Sequence, residues 1–212
     1  MISPGLEMLK WAKDLFPFCR SITGEGLRDS LKYIKKIHPD LKINSFKTGK
    51  KVFDWIVPEE WIIKDAYIEH ESGKRFAEFK KNNLSVVNYS TPIKKIMSLD
   101  EIKPFIHVQQ DRPNAIPYIT SYYKKRWGFC MSKNEKNKLP KGKYKVHIDS
   151  SFKKGEMNFG EIYIKGSSKK EILFSTYLCH PSMANNELSG PVLSTALANY
   201  IKNNFKKKKY SY

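Results

Sequence analysis

The stretch Phe174 to Gly190, FSTYLCHPSMANNELSG, constrains the fold most, because an apolar run gives way to one histidine, amides, a carboxylate and then Ser-Gly-Pro. The run Ile172 to Leu178 predicts a strand buried on both faces, as in a parallel sheet. In open α/β sheets ligands sit beyond the carboxyl ends of strands, and Cys179 and His180 fall there. Ser189 or Gly190 can cap a following helix, and Pro191 suits its first turn. Val192, Leu193, Ala196, Leu197, Tyr200 and Ile201 then recur at helical spacing. The reading is strand, polar loop, helix, with the chemistry in the loop. By spacing alone His180 is either a metal ligand or a loop histidine bonded to a backbone carbonyl. A nucleophilic Cys179 would need a base in reach, and otherwise it is a small buried apolar group.

Upstream, Met8, Trp11, Ala12, Leu15 and Phe16 mark one face of a helix that Pro17 ends. Leu27, Leu31, Ile34 and Ile37 trace a second helix, stopped at His38-Pro39, with His38 expected at an exposed helix end. The intervening loop, Arg20 to Gly26, sets Arg20 and Arg28 beside amides and hydroxyls. It can hold a carboxylate or phosphate, or it is a capping turn with solvated arginines.

From Leu41 to Asp149 the pattern shifts to short strands: Leu41 to Phe46, Lys51 to Val57, Trp61 to Glu69, Leu84 to Tyr89, Arg126 to Met131 and Lys143 to Asp149. Phe53, Trp55 and Val57 alternate, as do Tyr144, Val146 and Ile148, which predicts one buried face per strand. Ser98 with Glu101 forms the capping pair of a short helix over Ser98 to Lys103. Tyr118, Tyr122, Tyr123 and Trp127 offer rings and hydroxyls that either close over a substrate or pack this section. His70, His107 and His147 lack ligand spacing and read as structural. A strand over Asn158 to Lys165 returns towards the main sheet. After Ile201 the chain turns polar and lysine-rich, and reads as a solvated end.

With 212 residues and 40% hydrophobic content the chain can bury one large core or two small ones. No apolar run is long enough to span a membrane, and no signal-peptide pattern opens the chain, so the expected location is cytoplasmic. Cys19, Cys130 and Cys179 are odd in number and lack paired spacing, which argues against a disulfide framework. The 39 Lys and Arg against 21 Asp and Glu give a formal charge of +18. Without a nucleic-acid motif that charge ranks nucleic-acid binding last.

His180 followed by Ala184-Asn185-Asn186-Glu187-Leu188-Ser189-Gly190 resembles the histidine and Asp-Asn-x-Ser-Gly segment of M28-type zinc aminopeptidases. More closely, the chain resembles bacterial aminopeptidase-like proteins of DUF4910 architecture with a DUF2172 insert, often found with surface-polysaccharide biosynthesis genes. Leu15 to Gly24, Val52 to Pro58, Pro117 to Tyr123, Trp127 to Cys130 and Cys179 to Ser182 carry that resemblance in order.

The resemblance implies an α/β fold: an incomplete zinc-aminopeptidase-like mixed sheet with helices over residues 1–40 and 157–212, carrying an inserted, mainly β swivelling β/β/α domain over 41–156. It implies zinc as cofactor, held by His180, Asn186 and Glu187, with Asn186 standing where the pattern has an aspartate. Arg20, Arg28, Tyr122 and Trp127 would contact a peptide or amide-containing substrate. The general base would lie beyond residue 212, so the expected zinc hydrolase is weakly active or inactive alone. The alternative is a non-catalytic binding or assembly protein of surface-polysaccharide synthesis. A homo-oligomer or a completing C-terminal chain would be the macromolecular partner.

Overall fold

The computed structural model describes residues 3–212, in two compact units: residues up to Glu59 together with Lys154–Tyr212, and Glu60–Lys153. In chain order the first unit opens with helices α1 (Pro4–Leu15) and α2 (Glu25–Ile37), then strands β1 (Lys42–Lys47), β2 (Lys51–Val52) and β3 (Trp55–Ile56). The second holds β4 (Glu60–His70), β5 (Arg75–Phe76), β6 (Ile93–Ser98), helix α3 (Leu99–Ile102), β7 (Ile106–His107), β8 (Phe129–Cys130), helix α4 (Lys133–Lys136) and β9 (Lys143–Lys153). The chain then re-enters the first unit with β10 (Glu156–Glu161) and helix α5 (Ser189–Asn204). The expected insert ran from 41 to 156, whereas compactness divides at 59/60 and 153/154, because β1 pairs antiparallel with β10 inside the first unit.

The first unit is built on the two predicted helical faces. Leu27, Leu31 and Ile34 of α2 pack with Leu41, and Ile162 and Leu178 close on them. Leu15 of α1 meets Leu188 and Val192 at the start of α5, flanked by Met8, Trp11, Ala12, Phe18 and Tyr33. Each such buried aliphatic side chain contributes roughly 1.5–3 kcal/mol. Phe16, placed on the buried face by periodicity, is exposed instead. Gly26 lets α2 begin against the Cys19 carbonyl, where a Cβ would overlap that backbone.

Three expectations in this unit are corrected. Lys51 to Val57 is no single strand but a tight β2–β3 hairpin, with Phe53 in the left-handed region (φ 54°) and 93% exposed at its turn. Ile172 to Leu178 forms no paired strand: a sheet strand needs neighbours, and among the described residues its backbone pairing is confined to the adjoining Glu171–Ser211 bridge and the Ile172 amide on the Ser211 carbonyl. The chain end is not merely solvated, since Ser211 is buried and Tyr212 exchanges backbone hydrogen bonds with Ile164.

The second unit is centred on an antiparallel sheet of order β5-β4-β9-β6. Tyr144, Val146 and Ile148 are buried on alternate positions of β9, as predicted, with Ala66 and Ile68 buried on β4. The Ser98–Glu101 capping box is present at α3. Leu84 to Tyr89 is not a strand: the Asn82 side chain accepts from the Leu84 amide and starts a 3-10 turn, and Tyr89 takes a left-handed φ of 67°.

His38 ends α2 but is buried, not exposed as expected, and neither ring nitrogen has a hydrogen-bond partner. Burial lowers its pKa, and nearby Lys202 adds to this while Asp40 opposes it. A folded-state pKa below the unfolded value means that stability is complete above the usual histidine pKa, about 6.5, and is lost as pH falls below it. The urea midpoint is therefore expected to drop as pH falls from 7 towards 5. His38→Leu should remove part of that dependence, and an unchanged profile in the variant would count against this origin.

Candidate functional site

The site forms where the ribbon ending at Leu178 meets the turn into α5. Gly190 permits the approach, because a Cβ there would overlap Thr176. Ala184–Leu188 coils as one wide π-type turn and runs directly into the helix, a form common at functional positions. The buried contact of Leu188 with Leu15 and Val192 fixes the turn, so Glu187 next to it is directed inward.

Glu187 is 0% exposed. Its Oε1 accepts hydrogen bonds from the Cys179 amide and, at 2.7 Å, the His180 amide. Its Oε2 is buried without a hydrogen-bond partner and lies 3.4 Å from His180 Nδ1. Asn186 Oδ1 is 3.0 Å from the same nitrogen. Protonated there, the imidazole donates to Asn186. Unprotonated, its lone pair faces the space that Glu187 Oε2 also faces.

Arg20 completes the arrangement from below. It is fully buried, its Nε donates to the His180 carbonyl at 2.9 Å, and Nη1 donates to the Leu15 carbonyl. The peptide units around His180 are thus held at the N–H by a buried carboxylate and at the C=O by a buried guanidinium. Burial lowers the Arg20 pKa to about 10 against the opposing pull of Glu187, so the cation persists at neutral pH. Burial, reinforced by Glu187, pushes the Cys179 thiol up to about 12.

The predicted residues are therefore distributed unequally. His180, Asn186 and Glu187 converge. Arg20 belongs beneath them as a tether, which corrects its reading as a substrate contact, since no part of it faces solvent. Arg28 is engaged with Glu25 at 2.9 Å and reaches Asn158 Oδ1 at 3.4 Å. Tyr122 and Trp127 lie in the second unit. There Tyr122 shares a hydroxyl hydrogen bond with Tyr118 and Trp127 stacks on Phe105, as packing residues do.

One neighbour was missed. Cys179 Sγ joins His180 and Glu187 in a group whose ligand atoms all lie within 4.8 Å of one another. Its adjacency to His180 was the available signal. Strand alternation would have sent the two side chains to opposite faces, but the chain has left regular strand geometry there.

The donor set suits a divalent cation. Two ligands of a tetrahedral zinc stand about 3.3 Å apart, close to the 3.4 Å between His180 Nδ1 and Glu187 Oε2. The unpartnered buried oxygen of Glu187 is the kind of atom that such an ion would satisfy.

A family model described as "Domain of unknown function (DUF4910)" matches residues 9–212. The chain belongs to that family. A curated relative from Clostridium acetobutylicum, described as a "Putative polysaccharide biosynthesis protein with aminopeptidase-like domain", is 48% identical over 208 residues, covering 98% of this chain and 47% of its own length. A crystal structure of a "putative peptidase" from the same organism matches with a TM-score of 0.93 and 48% identity, over 98% of this chain and 49% of that one. The DUF4910 chain thus spans about half the length of the relatives that it matches.

Glu187 and Arg20 are both buried, hold opposite ends of the same backbone segment and attract one another electrostatically. Glu187→Gln or Arg20→Met is each expected to lower the urea midpoint, and the double variant by clearly less than the sum. Additive costs would show that the two do not act together.

Proposed function

We propose that this chain carries the metal-binding front of an aminopeptidase-like hydrolase related to the M28 type, acting on peptide or amide bonds. The observation that carries the reading is the Glu187 carboxylate, whose one oxygen holds the loop while the other faces His180 Nδ1.

His180 and Glu187 would hold zinc, with Asn186 as a neutral neighbour to the same nitrogen. Bound zinc supplies a water of lowered pKa and polarises a carbonyl. The chain's own residues orient: Glu187 fixes the amides of Cys179 and His180, Arg20 fixes the His180 carbonyl, and Asn186 sets the ring. The family resemblance puts the general base outside these residues, so turnover by the chain alone should be weak or absent. The second unit corresponds, on this reading, to the inserted mainly β domain.

A second reading is favoured by Asn186, an amide where the zinc aminopeptidase pattern has a carboxylate, and by the polysaccharide-biosynthesis name of the relative. It makes the chain a binding or assembly module that kept the scaffold without hydrolysis.

Calorimetric titration with zinc tests the choice. The expected result is one ion per chain, lost in His180→Ala, with negligible cleavage of an aminoacyl amide. Absence of zinc binding, with a peptide or sugar bound instead, would favour the module. Zinc-dependent cleavage abolished by His180→Ala would overturn the expectation of inactivity alone.

A further inference from the structure

Four lysines of the second unit line one cavity of about 670 Å³: Lys103, Lys136, Lys141 and Lys143, with Asp100 as the acid among the lining residues. The backbone around it is fixed. The Ser98–Glu101 capping box sets the first turn of α3, the Leu99 amide donates to the Gly142 carbonyl at 3.1 Å, and the Glu71 amide donates to the Lys143 carbonyl at 2.9 Å. Gly142, at φ 139°, packs so closely on the Glu71 carboxylate and the His70 ring that a Cβ there would overlap both.

Charge in the cavity is unbalanced. Asp100 is taken by Lys103 at 2.7 Å, which leaves Lys136, Lys141 and Lys143 with no carboxylate at ion-pair distance among the described residues. Lys136 is half-buried, and its ammonium donates to the Lys103 and Ile106 carbonyls at 3.3 and 2.8 Å, which anchors it and leaves one proton unspent. Burial lowers the Lys136 pKa, and the like charge of Lys103 adds to this. An anion in the cavity would favour the charged form.

We propose that this cavity binds the diphosphate group of a small molecule, held by Lys136, Lys141 and Lys143. The volume is that of a small-molecule site rather than of a polymer track. No arginine is among the lining residues. Separate ammonium groups suit phosphate oxygens, which take point charges from several directions, whereas a flat carboxylate favours the arginine fork. Three unpaired ammonium groups match a diphosphate better than a single phosphate, which carries about two charges at neutral pH. The inference is independent of the metal site and of hydrolysis.

Calorimetric titration of the full chain with inorganic pyrophosphate, in metal-free buffer at constant ionic strength, tests it, with inorganic phosphate and heparin as comparison ligands. One pyrophosphate per chain is expected, bound ~10-fold or more tighter than phosphate. Lys136→Gln and Lys141→Gln should each weaken it by ~10-fold or more, the loss of one charge-assisted contact. Lys169→Gln removes the same charge from an exposed position of the first unit and should change it by less than ~2-fold. Lys141 is exposed, so its variant reports even if Lys136→Gln fails to fold. Absence of pyrophosphate binding would overturn the proposal, as would equal affinity for phosphate or equal losses in all three variants. Binding of heparin without pyrophosphate would also overturn it, because the charge would then serve general polyanion attraction.

Discussion

The arrangement rests on how the backbone at His180 is held. A buried carboxylate takes the amides of Cys179 and His180, and a buried guanidinium takes the His180 carbonyl. Neither charge would be tolerated alone at that depth, so each justifies the burial of the other. Around them, α1 contributes the Leu15 carbonyl that receives Arg20 and the Leu15 side chain that receives Leu188 and Val192. The same few residues therefore close the core and aim the imidazole.

This division of labour gives Glu187 two functions that one oxygen could not serve. Oε1 is spent on structure, and Oε2 remains opposite His180 Nδ1. Asn186, exposed on the outer side of the turn, contributes an amide oxygen but no charge. The site consequently has one buried carboxylate at its base and a neutral amide oxygen at its rim.

Much of this was legible before any coordinates. The faces of α1 and α2 follow from periodicity and the capping box from Ser98 and Glu101, whereas the grouping of His180, Asn186 and Glu187 is an expectation of the family resemblance rather than of spacing. What escaped depends on non-local facts. Arg20 and His38 look like surface groups because residue type predicts exposure, yet packing buries both. Composition reports that Ile172 to Leu178 wants neighbours on both sides, but not whether the chain provides them. Phe53 hides a turn because an aromatic residue rarely adopts the left-handed conformation. The β1–β10 pairing, whose partners stand more than a hundred residues apart, leaves no mark in local pattern.

The central claim is that the second oxygen of Glu187 and the His180 imidazole face one shared ion position. Anomalous diffraction at the zinc absorption edge, from crystals grown with zinc, addresses it directly. The account predicts a single strong peak bounded by Glu187 Oε2 and His180 Nδ1, with Oε1 still on the two amides. A peak elsewhere, or none while His180 Nδ1 stays bonded to Asn186, would contradict it.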